Sequence, residues 1–241
     1  MRFLAFASRN QKEIIRDPLT ILFGIGLPVV VMWLFTIMQQ NMPMELYKIE
    51  NLTPGVIVFS FAFLTLFSGM LIGKDKGSSF LMRIFVSPLR PSDYIIGYTI
   101  PLILIAMMQI VVCFITAYFL DLKFDWNVIV AIAVLLVNAL LYLGFGLMLG
   151  TFFTDKQVGG IFALFVNIAT WLSGTWFTLD MIGGVFENVA SVLPFVHAVE
   201  VTRLALQGDY GEMLVPLIWV VGYTVVLYVI AIGAFRKKMR Y

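Results

Sequence analysis

Residues 126–154 read WNVIVAIAVLLVNALLYLGFGLMLGTFFT, a run of 29 residues without a charged side chain. A helix needs roughly 20 apolar residues to cross the ~30 Å hydrocarbon layer of a bilayer. Backbone polar groups cannot stay unpaired in lipid, so a run of this length must be a helix or part of a closed barrel. Barrel strands alternate apolar and polar residues over about 10 positions, and this run does not. It therefore predicts a transmembrane helix.

Six uncharged runs of this kind occur along the chain, with bounds Leu19–Met38, Asn51–Gly73, Tyr94–Leu120, Trp126–Thr154, Gln157–Leu179 and Met213–Phe235. We expect the transmembrane helices themselves at 19–38, 52–73, 97–120, 128–150, 158–179 and 214–235. The composition agrees, because only 12% of the residues are charged, against about 25% in soluble domains. The expected fold class is all-α: a polytopic membrane protein with six transmembrane helices, in which residues 1–241 form a single domain.

Lysines and arginines are distributed unequally between the segments that connect the runs. Thirteen of the 16 lie in residues 1–18, in the loops 74–93 and 155–156, and in the tail that follows the last run. Only Lys48, Lys123 and Arg203 lie on the other side. Cytoplasmic loops carry the excess of Lys and Arg. We therefore expect a cell-membrane protein with both termini in the cytoplasm.

Two amphipathic segments lie on the predicted cytoplasmic side. In residues 1–18 apolar side chains recur at helical spacing with basic residues between them, which is typical of a helix at the membrane surface. The alternative is a flank that only sets the topology. In residues 77–90 an apolar stripe and a basic rim are formed by Phe80, Leu81, Arg83, Ile84, Phe85 and Arg90. That pattern suits a groove on a soluble partner, and equally a helix that rests on lipid headgroups.

On the external side, residues 181–203 include Asn188–Val199, 12 residues without a charge. This length is too short to cross a bilayer and indicates a re-entrant or interfacial element. The alternative is an external cap over the bundle. The candidate residues of an external gate are Pro194, His197, Glu200 and Arg203. Glu200 and Arg203 lie three apart, so they could pair on a helix.

Uncharged polar residues and glycines lie inside the predicted spans. Three such residues are Gln109, Asn138 and Asn167. For each of them taken alone, we favour an interhelical hydrogen bond. The alternative is that they line a path for an amphipathic substrate. Glycines in the patterns Gly69-x-x-x-Gly73 and Gly144–Gly150 let helices approach closely, either within the chain or at a dimer seam.

Several kinds of chemistry are absent from the sequence. A phosphate-binding loop of the form G-x-x-x-x-G-K-[ST] does not occur. His197 is the only histidine and Cys113 the only cysteine, so a conventional zinc site is not expected. No span carries the charge that ion-coupled carriers use. Ser173-Gly174 lacks the upstream glycine of an intramembrane serine protease. We expect no catalytic residue, metal site, cofactor or nucleic-acid partner.

Four segments, in their order, resemble the permease subunits of type-2 ATP-binding-cassette (ABC) exporters. Arg9–Pro18 (RNQKEIIRDP) is similar to the amphipathic elbow of that family, and Gly77–Pro91, which contains Ser-Pro-Leu, to its cytoplasmic coupling element. Gly144–Gly150 suits the fourth helix, and Leu193–Arg203 (LPFVHAVEVTR) the segment before the last one. The resemblance covers essentially the whole chain. One departure is Lys74–Ser78 (KDKGS), where family members often have glutamates and a Gly-Thr pair.

The resemblance implies a half-transporter that is not itself an enzyme. Two copies would form the substrate pathway, and two cytoplasmic ABC ATPase subunits, which bind ATP and Mg, would dock on residues 77–90. Phe80 and Phe85 would occupy a groove of the ATPase, and Arg83 and Arg90 would pair with its acidic rim. The expected cargo is a hydrophobic or amphipathic drug, antibiotic peptide or lipid. Alternatives are export of a lipid-linked glycan, and a non-transport scaffold that recruits a cytoplasmic partner.

Overall fold

A computed structural model describes residues 2–41, 45–78 and 91–238 of the chain. Over these residues the backbone forms helices and turns without a strand, so the predicted all-α class is confirmed. In chain order the α-helices are α1 (Arg2–Ile15), α2 (Pro18–Ile21), α3 (Leu27–Asn41), α4 (Ile49–Gly77), α5 (Pro91–Phe119), α6 (Trp126–Phe152), α7 (Asp155–Trp171), α8 (Gly184–Val192), α9 (Pro194–Gln207) and α10 (Leu214–Lys238). A π-helix, Leu22–Gly26, joins α2 to α3. Short 3-10 helices cover Glu45–Tyr47 and Leu179–Met181.

Within the described residues, five helical segments are long and apolar enough to cross a membrane. They are Pro18–Asn41, Ile49–Gly77, Ser92–Phe119, Trp126–Phe152 and Leu214–Lys237. The pair α8 and α9, bent by 77°, makes a sixth if it is counted as one broken span. The prediction of a polytopic helical membrane protein is therefore confirmed. Several helices are longer than the predicted uncharged runs, because their ends continue through charged residues such as Glu50, Asp93 and Arg236.

The predicted span 158–179 departs most from its expected form. Its helix, α7, ends at Trp171 after 17 residues, which is about 25 Å at ~1.5 Å per residue. The Ser173 hydroxyl then accepts a hydrogen bond from the backbone N–H of Thr175. Such side-chain-to-backbone bonds compete with helix continuation. Gly174 follows with a φ of 65°, and the turn from Leu172 to Thr175 is buried in the bundle.

The centre of the bundle is a backbone contact between α4 and α6. A Cβ atom on Gly146 would lie 1.7 Å from the Ser68 hydroxyl, and one on Gly150 would lie 2.6 Å from the Gly69 carbonyl oxygen. The two helices can approach this closely only because these positions carry no side chain. These glycines therefore serve packing within the chain, the first of the two roles that the sequence allowed.

Candidate functional site

Helix α1 packs its apolar face against the beginning of α5. Phe6 meets Tyr98 edge-on with ring centroids 4.9 Å apart, and Tyr94 at 6.0 Å. A Cβ atom on Gly97 would lie 2.4 Å from the Phe6 ring, and buried Asn10 donates a hydrogen bond to the Gly97 carbonyl at 3.1 Å. The helix predicted within residues 1–18 is thus present, and its position at the membrane surface stays a prediction.

The polar face of α1 forms a network with α4 and α5. Arg9 Nη1 lies 2.6 Å from Asp75 Oδ2, and the Tyr98 hydroxyl donates to the same oxygen at 2.9 Å. Arg9 Nη2 also lies 2.8 Å from Glu13 Oε2, and Lys74 Nζ lies 2.5 Å from Glu13 Oε1. We call Arg9, Glu13, Lys74, Asp75 and Tyr98 the α1–α4–α5 network. Its central group is Asp75, whose side chain is only 2% exposed.

The electrostatics of the network explain why Asp75 needs two donors. Asp75 lies in the last turn of α4, where the negative end of the helix dipole disfavours a carboxylate. The positive charge of Arg9 and the Tyr98 hydroxyl offset that effect and the loss of hydration. Burial lowers the pKa of Arg9, but the hydrogen bond to Asp75 and the charges of Asp75 and Glu13 leave this pKa raised overall. Arg9 is therefore a permanent cation.

Lys76, the next charged residue, contacts a different helix. Its Nζ donates to the carbonyls of Gly150 and Thr151 at 3.3 Å, and of Phe153 at 2.5 Å. These carbonyls belong to the C-terminal end of α6, where a cation is stabilised by the helix dipole. The final turn of α4 thus joins α1 and α5 through Asp75, and α6 through Lys76.

This arrangement surrounds both ends of the connection 79–90. The connection follows Ser78, whose hydroxyl donates to the Asp75 carbonyl at 3.0 Å, and leads to α5 at Pro91. Helix α1 therefore contacts the helix that precedes the connection and the helix that follows it. The predicted coupling residues Phe80, Leu81, Arg83, Ile84, Phe85 and Arg90 lie outside the described residues, and their role stays a prediction.

Gln109 joins α5 to the irregular start of the first span. Pro28 has no N–H to donate to the carbonyl of Gly24, four residues earlier. That carbonyl accepts a hydrogen bond from Gln109 Nε2 at 2.7 Å, deep in the bundle. A Cβ atom on Gly24 would lie 3.2 Å from the same nitrogen. The Gln109 amide therefore supplies the hydrogen bond that Pro28 cannot donate, and Gly24 leaves room for it.

The other two predicted amides have different surroundings. Buried Asn138 of α6 donates to the Ala198 carbonyl at 2.8 Å and the Thr202 hydroxyl at 2.9 Å, so it joins α6 to α9. Asn167 lies exposed on α7 and donates to the Ala163 carbonyl one turn earlier, at 2.7 Å. A role of any of the three amides in a substrate path stays a prediction.

The bent pair α8 and α9 carries the predicted gate residues. Pro194 is buried at the first position of α9, where its missing N–H costs no helix bond. His197 stacks on Trp219 with ring centroids 5.2 Å apart. Its Nε2 lies 2.8 Å from the Ser191 carbonyl oxygen, and its Nδ1 lies 3.5 Å from Glu200 Oε2. A gating function for this element stays a prediction.

Arg203 bridges three segments at the same end of the bundle. Its Nε donates to the Asn51 carbonyl at 3.2 Å, and its Nη2 donates to the Gly174 carbonyl at 3.1 Å. These two bonds take the place of the pairing with Glu200 that the sequence spacing allowed. Arg203 thereby ties α9 to the beginning of α4 and to the buried turn after α7.

The α1–α4–α5 network was not predicted from the sequence. Arg9 and Asp75 are 66 residues apart, and no local pattern connects them. The signal that could have revealed the pair is a carboxylate in the last turn of a helix, between two lysines, because that position favours cations. Within the described residues, no group of three or more His, Cys, Asp or Glu side chains is placed to hold a metal ion.

The structure defines a polytopic helical membrane protein in which a network of three ion pairs joins α1 to the helix that precedes the connection 79–90. Its sequence matches the ABC-2 type transporter family over residues 1–206. The chain therefore belongs to that family, which supplies the membrane component, or permease, of type-2 ABC transporters and is not itself catalytic. No individually curated protein matches the sequence.

Proposed function

We propose that two copies of this chain form an exporter for a hydrophobic or amphipathic substrate, driven by a separate cytoplasmic ATPase. The observation that carries the proposal is the position of α1 against both helices that flank residues 79–90. If the ATPase docks on that connection, its movement reaches α4 and α5 together through Arg9, Asp75 and Tyr98. The sequence has no phosphate-binding loop, which agrees with this proposal because another chain would then bind and hydrolyse the ATP.

The exposed face of α7 supports pairing with a second copy. Gly159, Ala163 and Asn167 recur every four residues on this helix, and all three are exposed. A Cβ atom on Gly159 would meet nothing within 4 Å. Small residues at this spacing let two membrane helices approach, and a polar amide adds a hydrogen bond between them. In the proposed homodimer this face meets its own copy.

The chemistry of the spans supports the proposed class of cargo. None of the predicted spans 19–38, 52–73, 97–120, 128–150, 158–179 and 214–235 carries a charged side chain. A pathway between two such bundles offers apolar and aromatic surface with few polar anchors. This surface favours a drug, an antibiotic peptide or a lipid over a strongly hydrated solute.

The central experiment is purification of the tagged chain from its host, followed by reconstitution with the ATPase that accompanies it. We expect ATP-dependent movement of a labelled hydrophobic drug across the vesicle membrane. Phe85→Asp should abolish this transport without lowering membrane abundance, whereas Phe85→Tyr should preserve it. Unchanged efflux from Phe85→Asp would eliminate the docking role. A preparation without ATPase would favour the scaffold, and binding of a labelled lipid-linked glycan without a drug response would favour glycan export.

The homodimer is tested by cross-linking in membranes, with Cys113 replaced by Ser. Asn167→Cys on α7 should form a disulfide-linked dimer under mild oxidation. Val226→Cys, at an exposed position of α10, is the matched control and should stay monomeric. Cross-linking of the control alone would place the seam elsewhere.

A further inference from the structure

A cavity of about 920 Å³ opens between α1, the turn that follows it and α4. Its floor is apolar and consists of Phe67, Met70 and Leu71 of α4. Its rim includes Lys12 and Arg16, four residues apart at the end of α1. The volume lies in the range of about 300–1,000 Å³ that small-molecule sites occupy. The lining thus combines an apolar base with a cationic edge.

Two cations of this lining remain available for a ligand. Arg9, Glu13 and Lys74 satisfy one another and Asp75 in the α1–α4–α5 network. Asp17 accepts hydrogen bonds from the Leu19 backbone N–H and the Thr20 hydroxyl, and Asp155 lies in the first turn of α7, where the helix dipole offsets its charge. In the part of the chain that the structure describes, the side chains of Lys12 and Arg16 have no hydrogen-bond or ion-pair partner.

We propose that this cavity binds an anionic membrane lipid, with the headgroup phosphate between Lys12 and Arg16 and the beginning of the acyl chain over Phe67 and Met70. Residues three or four apart on a helix are neighbours on one face, so one phosphate can reach both cations. Arg and Lys are the side chains that bind phosphate through charge-assisted hydrogen bonds.

The neighbouring surface indicates that the ligand comes from the bilayer. Ile15, Leu19 and Leu22 lie beside the rim, and each exposes about half of its surface. Exposed apolar side chains next to basic ones are typical of an element at the boundary between headgroups and acyl chains. The proposal requires a membrane setting only and does not depend on the cargo or on the ATPase.

The test measures which lipids the purified full-length chain retains. The protein is incorporated into nanodiscs with equal amounts of phosphatidylglycerol and phosphatidylcholine, extracted into mild detergent and analysed by native mass spectrometry. We expect preferential retention of phosphatidylglycerol. Lys12→Gln with Arg16→Gln should reduce that preference about fivefold per cation, from the usual contribution of one basic residue near an anionic lipid surface. The control, Arg236→Gln with Lys237→Gln, removes two exposed charges outside the cavity and should lower the preference clearly less.

Two further variants separate binding from misfolding. Lys12→Arg with Arg16→Lys preserves both charges and should keep the preference. Met70→Trp narrows the floor without changing the charge and should lower retention of phosphatidylglycerol. Four results would overturn the proposal: an unchanged preference in Lys12→Gln with Arg16→Gln, an equal loss in the control, retention of inorganic phosphate in place of the lipid, or a disulfide between two copies at Met70→Cys that excludes lipid. The last result would assign the cavity to a dimer contact.

Discussion

Replacement of Arg9 by Met tests whether the α1–α4–α5 network holds the bundle together. The change leaves the Asp75 carboxylate, with its 2% exposed side chain, without a cation and with Tyr98 as its remaining side-chain donor. Breaking a buried ion pair in this way costs about 3–5 kcal/mol. Arg9 itself is 36% exposed, so screening by water reduces the expected loss to about 2–3 kcal/mol.

Removal of the other partner should cost less. Asp75→Asn keeps an oxygen for the Tyr98 hydroxyl and leaves Arg9 paired with Glu13, so we expect a loss of about 1 kcal/mol. In the double variant no buried charge remains unpaired. Its loss should therefore be smaller than the sum of the two single losses by about 1–2 kcal/mol.

The assay is unfolding of the purified chain by titration with SDS in mixed micelles, which gives the free energy of unfolding of each variant. Arg236→Met, which removes an exposed arginine of α10 outside both the network and the cavity, is the matched control and should change stability little. A structural role of the network would be refuted by an Arg9→Met variant as stable as Arg236→Met, or by losses of the two single variants that add up in the double variant.

Two further variants test the packing of the spans by the same titration. Gly146→Ala brings a methyl group onto the Ser68 hydroxyl and should cost about 1–3 kcal/mol, whereas Gly159→Ala meets open space and should be neutral or slightly stabilising in the monomer. Equal effects of these two would contradict the backbone contact. Gln109→Leu deprives the Gly24 carbonyl of its side-chain donor and should cost about 0.6–1.7 kcal/mol; a variant as stable as the native chain would contradict this role.

The membrane spans could be predicted from the sequence because each depends on a single continuous stretch of residues. A bilayer requires a minimum length without charge and a backbone that satisfies itself, and both conditions can be examined in one window. A prediction from such a window is wrong where a local hydrogen bond competes with the helix. At the end of α7, the bond between Ser173 and Thr175 and the φ of Gly174 stop the helix inside an uncharged run. Hydropathy does not register this stop.

The candidate site was harder to predict from the sequence, because its contacts join distant parts of the chain. Residues 1–18 and 77–90 stood out separately in the sequence. Asp75, which joins residues 1–18 to the last turn of α4, stood out only as part of a departure from the family pattern. Gln109 was singled out correctly as a polar residue in a span. Its partner, the Gly24 carbonyl beside Pro28, depends on how α5 meets the first span.

The glycine contact between α4 and α6 also bears on how the molecule moves. At Gly150, which faces the Gly69 backbone, little side-chain volume lies between α4 and α6 to adjust to a sliding motion. We therefore expect α4 and α6 to move together as one rigid unit. The first span and α10, whose surfaces are largely outside the bundle, have freedom to tilt against it. If the exporter proposed above works by alternating access, we expect this pair of helices to stay fixed while the outer helices rearrange.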